Sequence, residues 1–307
     1  MFRCVGNLRL TRLGSQCQRK CFFVILSICI IILFAVFQSS TNHTIAQNEA
    51  KMQYNRQFIN SNQSDRPKDC LPLHFSPVAL PHIALVSVPG SGNTWVRHLI
   101  QQATGLYSGS MYRDQKIDPL IFPNDPRNNS VIVTKRHNKW SESSPKIVKA
   151  ILLVRNPFDA ILAEFNREVT KDKTMTASKD HFQTKEWTKI VEYSGSKWLY
   201  NVMVWLVYPF GPVHVVRYED LKSNLKDEMR KICIFLGHPA SEETLDCVVR
   251  NSEGAYRRNR TETDRTLFPL RIRQKLESDM LLFDRFLEEY RLHCNKLDVH
   301  RSLLVVS

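Results

Sequence analysis

The chain has 307 residues, with 43 Lys and Arg against 30 Asp and Glu, a formal net charge of +13 and 43% apolar residues. That length holds one large domain with extensions. The positive balance suits an anionic ligand or acceptor, and the topology of the N-terminus argues against nucleic acid as that partner.

Residues 21–37, CFFVILSICIIILFAVF, carry no charge. As a helix they span roughly 25 Å, inside the range for a membrane crossing. Arg3, Arg9, Arg12, Arg19 and Lys20 precede them, and no Lys or Arg follows until Lys51. The positive-inside rule then puts residues 1–20 in the cytosol and the remainder in the lumen, as a type II signal anchor. A cleaved signal peptide is the alternative, but the apolar stretch is long for one and Gln38-Ser39-Ser40 is a poor cleavage site. The short span suits a thin membrane of the early secretory pathway. Residues 38–78 are polar, rich in Asn, Gln and Ser, and read as a flexible stem. N-x-[ST] sequons at Asn42, Asn62, Asn128 and Asn259 fit luminal exposure. Four cysteines lie beyond the apolar segment: Cys70, Cys233, Cys247 and Cys294. In an oxidising compartment they allow up to two disulfides in three connectivities. Cys233 and Cys247, on or beside consecutive helices, are the expected pair, with Cys70 and Cys294 paired or free. None has zinc-ligand spacing, and no metal is expected.

Residues 79–295 read as the folded domain, followed by a tail at 296–307. The apolar run from Ile83 to Val88 predicts a buried strand. Pro89, Gly90 and Gly92 form a tight turn, and Trp95, Val96, Leu99, Ile100 and Ala103 then fall on one side of a helix. Strand, glycine turn and helix start together make an anion site, because backbone N–H groups and the positive end of the helix converge there. An ordinary βα turn is the alternative. An ATP-type loop is excluded: G-x-x-x-x-G-K-[ST] needs a Lys, whereas Asn93 and Thr94 follow Gly92. A nucleotide kinase is disfavoured on the same ground.

Further strands are expected at Ser130–Lys135, Ala150–Val154 and Val213–Tyr218. Leu225, Met229, Ile232, Phe235 and Leu236 mark one helix, and Leu276, Met280, Phe283, Leu287 and Tyr290 another. The alternation implies a P-loop-like α/β fold, a parallel sheet flanked by helices, with ligands at the carboxyl ends of the strands. Polar residues gather at those ends. Lys135 and His137 follow the second strand, where a His can act as a general base and a Lys can meet charge on a transferring group; a solvated basic loop is the alternative. Arg155 follows the apolar strand and offers a planar fork for a phosphate; pairing with Asp159 is the alternative.

These segments resemble the motifs of sulfotransferases. Pro89, Ser91, Gly92, Thr94 and Trp95 match the 5′-phosphosulfate loop P-K-S-G-T-T-W, with Gly90 in place of its Lys and Asn93 in place of a Thr. Lys135 and His137 match the family's K-x-H. Arg155, Asn156, Pro157 and Asp159 match the 3′-phosphate motif R-N-P-x-D-x-x-x-S, with Ala163 at the Ser position. Tyr218-Glu219-Asp220-Leu221-Lys222 and Phe235-Leu236-Gly237 match a structural block, and EGAYRRNR at 253–260 matches the loop that closes over the 3′-phosphate. VPGSGNTWVR and AEFNR are most similar to the WSC-domain-containing (WSCD) sulfotransferase-like family, as a short member without the Cys-rich modules, and Gly90 and Ala163 look like features of that branch. The resemblance implies a Golgi type II membrane enzyme that uses 3′-phosphoadenosine 5′-phosphosulfate (PAPS) to sulfate a hydroxyl, on a glycan. In that reading residues Pro89, Gly90, Ser91, Gly92, Asn93 and Thr94 hold the 5′-phosphate and Trp95 packs by the adenine. Arg155, Arg257 and Arg258 hold the 3′-phosphate, His137 takes the acceptor proton, and Lys135 meets the sulfuryl charge. The alternative is a non-catalytic luminal protein of the same fold that binds nucleotide or a sulfated or acidic glycan.

Overall fold

The computed structural model describes residues 70–112, 129–137, 146–171, 175–207, 211–253 and 263–304, with side chains through Arg291. These fall in one unit, Pro67–Ser307. The other unit, Met1–Arg66, lies outside the described residues, and so do the expected anchor at 21–37 and all four sequon asparagines. Among the described residues no helix is long and apolar enough to cross a membrane.

Among the described residues five strands form the sheet: β1 (Ile83–Ser87), β2 (Gly109–Ser110), β3 (Thr134–Arg136), β4 (Lys149–Val154) and β5 (Val213–Arg217). They lie in the order β2-β3-β1-β4-β5, and every pair is parallel. The long helices are α1 (Asn93–Thr104), α2 (Pro157–Thr170), α3 (Lys185–Val207), α5 (Leu225–Leu236), α6 (Glu242–Arg250) and α7 (Leu270–Leu304), with a short α4 (Tyr218–Ser223) ahead of α5. All five β1 residues are buried, as expected of a strand covered on both faces. Successive side chains alternate between two cores. Ala84, Val86, Ala150 and Leu152 pack with Phe158 and Phe165 of α2, Trp198 of α3 and Phe283 of α7. Ile83, Leu85, Ile151 and Leu153 pack with Leu99 of α1, Met229 of α5 and Val248 of α6.

Four expectations change. The domain takes in residues 70–78, read from composition as stem: His74 N–H donates to the Gly105 carbonyl at 2.9 Å, and Ser76 N–H to that of Ser130 at 2.8 Å. Polar composition did not reveal this, because the segment is held by its backbone. The strand expected over 130–135 is ladder only from Thr134, although Val131, Ile132 and Val133 are buried. The C-terminal tail begins as helix, since α7 runs to Leu304.

The expected Cys233–Cys247 disulfide is not formed. Cys247 pairs instead with Cys70, with Cα atoms 5.7 Å apart. Cys233 lies on the inner face of α5, fully buried and free, where burial raises its thiol to a pKa of about 11. Cys70 is brought to α6 from far along the chain because its N–H donates to Gln102 of α1 at 2.8 Å.

Candidate active site

The turn after β1 is shaped by two glycines in the left-handed region, Gly90 at φ 80° and Gly92 at φ 93°. A Cβ on Gly90 would stand 2.0 Å from the Ala160 carbonyl oxygen, and one on Gly92 would stand 2.7 Å from the Tyr218 ring. The turn is therefore pressed between the backbone of α2 and the ring of Tyr218. Gly92 is also the N-cap of α1; no side chain caps that helix and no acid lies in its first turn. Its leading N–H groups thus keep their affinity for an anion. The Ser91 hydroxyl is buried with no hydrogen-bond partner.

Arg155 leaves the end of β4 toward this turn. It is 6% exposed, donates from Nη1 to the Gly90 carbonyl at 2.9 Å, and lies over the Tyr218 ring with 4.2 Å to the centroid. Its contact with Asp159, 3.8 Å, is too long for a good hydrogen bond. Its Nε is buried without a partner. A buried guanidinium with an unused donor beside an uncapped helix start calls for a second, anionic partner. Tyr218 is more than a structural residue: it is edge-on to Trp95 with centroids 5.3 Å apart, and it forms the wall between Gly92 and Arg155.

Lys135 and His137 reach the same end of the sheet by register. Leu85 pairs with Lys135, so two residues on, Ser87 stands beside His137. The His137 Nδ1 lies 2.8 Å from the Ser87 carbonyl oxygen. A carbonyl can only accept, so Nδ1 carries a proton, and in the neutral ring the lone pair is then on Nε2, the arrangement a general base needs. Lys135 is buried, with Nζ 5.7 Å from the centroid of the Tyr112 ring. The Tyr112 hydroxyl accepts from the His137 backbone N–H at 2.8 Å. Tyr112 and Ser87 were not legible as site residues, since neither belongs to a motif.

Asn93 is the first residue of α1, and its side chain faces inward. Its Nδ2 donates to the Leu85 carbonyl at 3.1 Å and to Ser87 Oγ at 3.2 Å. It braces the turn against β1 and leaves only its backbone to the cradle. Trp95 donates from its indole to the Ser252 carbonyl at 2.7 Å, and His98 Nε2 meets the Asn251 carbonyl at 3.0 Å. On the far side of residues 254–262, the Thr263 hydroxyl donates to Asp159. Asn251 and Ser252 are thus held to α1 and Thr263 to α2, the two helices that flank the turn. Arg257 and Arg258 themselves lie outside the described residues. Among the described residues no cluster of three or more His, Cys, Asp or Glu is placed to hold a metal ion.

A strand–glycine-turn–helix unit, an arginine at the next strand end and a Lys–His pair at the neighbouring one lie together at one end of a parallel α/β sheet. The family model of the sulfotransferase domain matches residues 80–278, and the chain belongs to that family. Among curated proteins it is similar to a WSCD family member of Aedes aegypti, 40% identical over 181 residues, which are 58% of this chain and 57% of that protein. A WSCD family member of Drosophila melanogaster is 39% identical over the same shares. The chain thus spans little more than half the length of these relatives. Sulfotransferase 1A1 of Rattus norvegicus is 29% identical over 132 residues, 41% of this chain and 43% of that one. Among solved structures, mouse sulfotransferase SULT7A1 complexed with PAP aligns at 20% identity over 60% of this chain and 66% of that chain, with a TM-score of 0.40.

Proposed function

We propose that the chain is a Golgi type II membrane sulfotransferase that moves the sulfuryl group of PAPS to a hydroxyl, on a glycan. The observation that carries this reading is the 2.8 Å contact between His137 Nδ1 and the Ser87 carbonyl. It ties the candidate base to the strand end from which the anion cradle springs. The residues fit the nucleotide: two turn glycines that no side chain could replace, an uncapped helix start, and unused donors on Ser91 and Arg155.

In the proposed reaction, the N–H groups of the turn and of the first turn of α1 hold the 5′-phosphate. Arg155, with Arg257 and Arg258, holds the 3′-phosphate, and Trp95 packs by the adenine. His137 Nε2 accepts the hydroxyl proton as that oxygen bonds to sulfur. The bond from sulfur to the 5′-phosphate oxygen breaks, and its electron pair leaves with 3′,5′-ADP. The Lys135 ammonium meets the charge on the sulfuryl oxygens. These donors are preorganised, so their stabilisation costs little rearrangement.

A second reading, a non-catalytic luminal binder of nucleotide or acidic glycan, is favoured by one observation. Gly90 has no room for the Lys that the wider family places there. Calorimetry with 3′,5′-ADP and ADP, followed by labelled-sulfate transfer to a glycan panel, separates the two. The catalytic reading expects 3′,5′-ADP to bind far better than ADP. Arg155→Ala should weaken 3′,5′-ADP by about 1.5–3 kcal/mol, and His137→Ala should lower turnover by about 10² to 10⁴ with nucleotide affinity unchanged. Equal affinity for the two nucleotides refutes the nucleotide assignment. Tight binding with no transfer to any acceptor favours the second reading.

A further inference from the structure

The edge of the sheet beside the candidate base carries a residue that no motif contains. β2 runs parallel to β3 with Gly109 opposite Thr134 and Ser110 opposite Lys135. The Met111 N–H still donates to the Lys135 carbonyl at 3.2 Å. Continuing that register puts Tyr112 opposite His137. Here the chain leaves the ladder: the Tyr112 N–H turns back to Ser110 Oγ at 3.1 Å. The rung that the backbone would have supplied is supplied by the side chain, whose hydroxyl accepts from the His137 N–H at 2.8 Å. The same ring stacks on the imidazole, centroids 5.3 Å apart and planes 27° from parallel. It also lies beneath the Lys135 ammonium, 5.7 Å from its centroid.

We propose that Tyr112 is the positioning residue of this site, holding the His137 imidazole and the Lys135 ammonium in one arrangement through a single ring. The proposal rests on the reading of His137 as base and Lys135 as charge partner; Tyr112 touches neither nucleotide nor acceptor in it. Each of its contacts restrains a different freedom. The hydroxyl fixes the His137 backbone where it leaves β3. The stacked ring blocks rotation of the imidazole away from Ser87, so that Nδ1 keeps its carbonyl and the lone pair stays on Nε2. The ammonium is held over the negative face of the ring, on the same side of the sheet as the imidazole. Asn93 braces the opposite side by holding Ser87 Oγ, so the imidazole is confined between the cradle strand and the sheet edge.

The test uses the purified full chain in detergent with ¹⁵N-labelled histidine, the His137 signals being identified by their loss in His137→Ala. Wild type should show His137 protonated at Nδ1 when neutral. Tyr112→Leu removes hydroxyl and ring. It should give mixed tautomers and a turnover lowered about 10²-fold, since misplacement of a reacting group by about 1 Å costs that much. The affinity for 3′,5′-ADP, which lacks the sulfuryl group that Lys135 faces, should stay within about twofold, because the cradle is untouched. Tyr112→Phe keeps the stack and the cation contact; it should preserve the tautomer, speed exchange of the His137 amide and cost about fivefold in turnover, the worth of one hydrogen bond. An Nε2-protonated His137 in wild type overturns the proposal, as does Tyr112→Leu with both tautomer and turnover unchanged. If Tyr112→Leu does not fold, unchanged amide exchange in Tyr112→Phe overturns it. If wild type transfers no sulfate, the tautomer and exchange measurements still decide the role of Tyr112, and the failure belongs to the catalytic reading alone.

Discussion

Gly90 shows how one residue can depart from its family without leaving a gap. With φ at 80° and the Ala160 carbonyl 2.0 Å from any Cβ, the position accepts no side chain. The turn packs against α2, and in the proposed reaction the charge that a loop Lys would bring is supplied by Arg155, which donates to the Gly90 carbonyl, and by Lys135 on β3. Restoring the Lys should therefore fail. Gly90→Lys is expected to destabilise the fold by at least about 2 kcal/mol, from the left-handed backbone and the clash together. Thermal melting of the variant should show the loss, and sulfate-transfer assays should show no gain. A variant as stable as wild type with increased transfer would mean that the turn is free to lift away from α2.

At the scale of elements, α1 organises the site from both ends. Its start is the proposed anion cradle, and its side chains Trp95 and His98 meet the carbonyls of Ser252 and Asn251. Gln102 near its other end holds Cys70, and the Cys70–Cys247 bridge fastens α6 to the same assembly, with Asn251 Nδ2 against both sulfurs at 3.4 and 3.3 Å. A bridge across 177 positions should stabilise the fold by about 5 kcal/mol on the chain-entropy model. Non-reducing peptide mapping should recover Cys70 linked to Cys247. Cys233, buried with its thiol raised, should resist alkylation until the protein is denatured. Rapid labelling of Cys233 in the native state, or its recovery in a disulfide, would contradict the arrangement.

For the whole molecule, a buried and a half-buried histidine should set a pH dependence. His82, just ahead of β1, and His214, on β5, are both held below the ordinary histidine value of 6.5, chiefly by burial. Arg136 adds to the effect at His82, while Glu228 partly offsets it at His214. Below that value the unfolded chain takes up protons that the native chain resists, so stability should fall as pH drops beneath 6.5. The urea midpoint should therefore decrease between about pH 6.5 and about pH 5, and His82→Asn should flatten part of that slope. A midpoint independent of pH in this window would show that neither ring is kept neutral by the fold. The topology proposal is tested on the whole chain as well. With the charge-free 21–37 segment behind five basic residues, glycosidase treatment of protein from cells should shift its gel mobility. No shift, together with cytosolic protease access to the C-terminus, would refute an N-in, C-out orientation.

What the amino-acid sequence determined by itself was whatever depends on neighbours in the chain. The β1–turn–α1 unit needs only an apolar run, two glycines and a helical period. Arg155 at the end of β4 and His137 just past β3 follow from apolar runs that stop where polar residues begin. What only the tertiary structure decided are the pairings between distant segments. The order β2-β3-β1-β4-β5 brings Ser87 to His137, and the edge register brings Tyr112 to the same imidazole, although β2, the strand before it, is too short to leave a periodic signal. Cys70 reaches Cys247 rather than Cys233 because α1 carries the early segment to α6, while α5 turns its own cysteine into the core. Spacing along the chain encodes none of these contacts, since they are settled by which faces can be buried together once the sheet has formed.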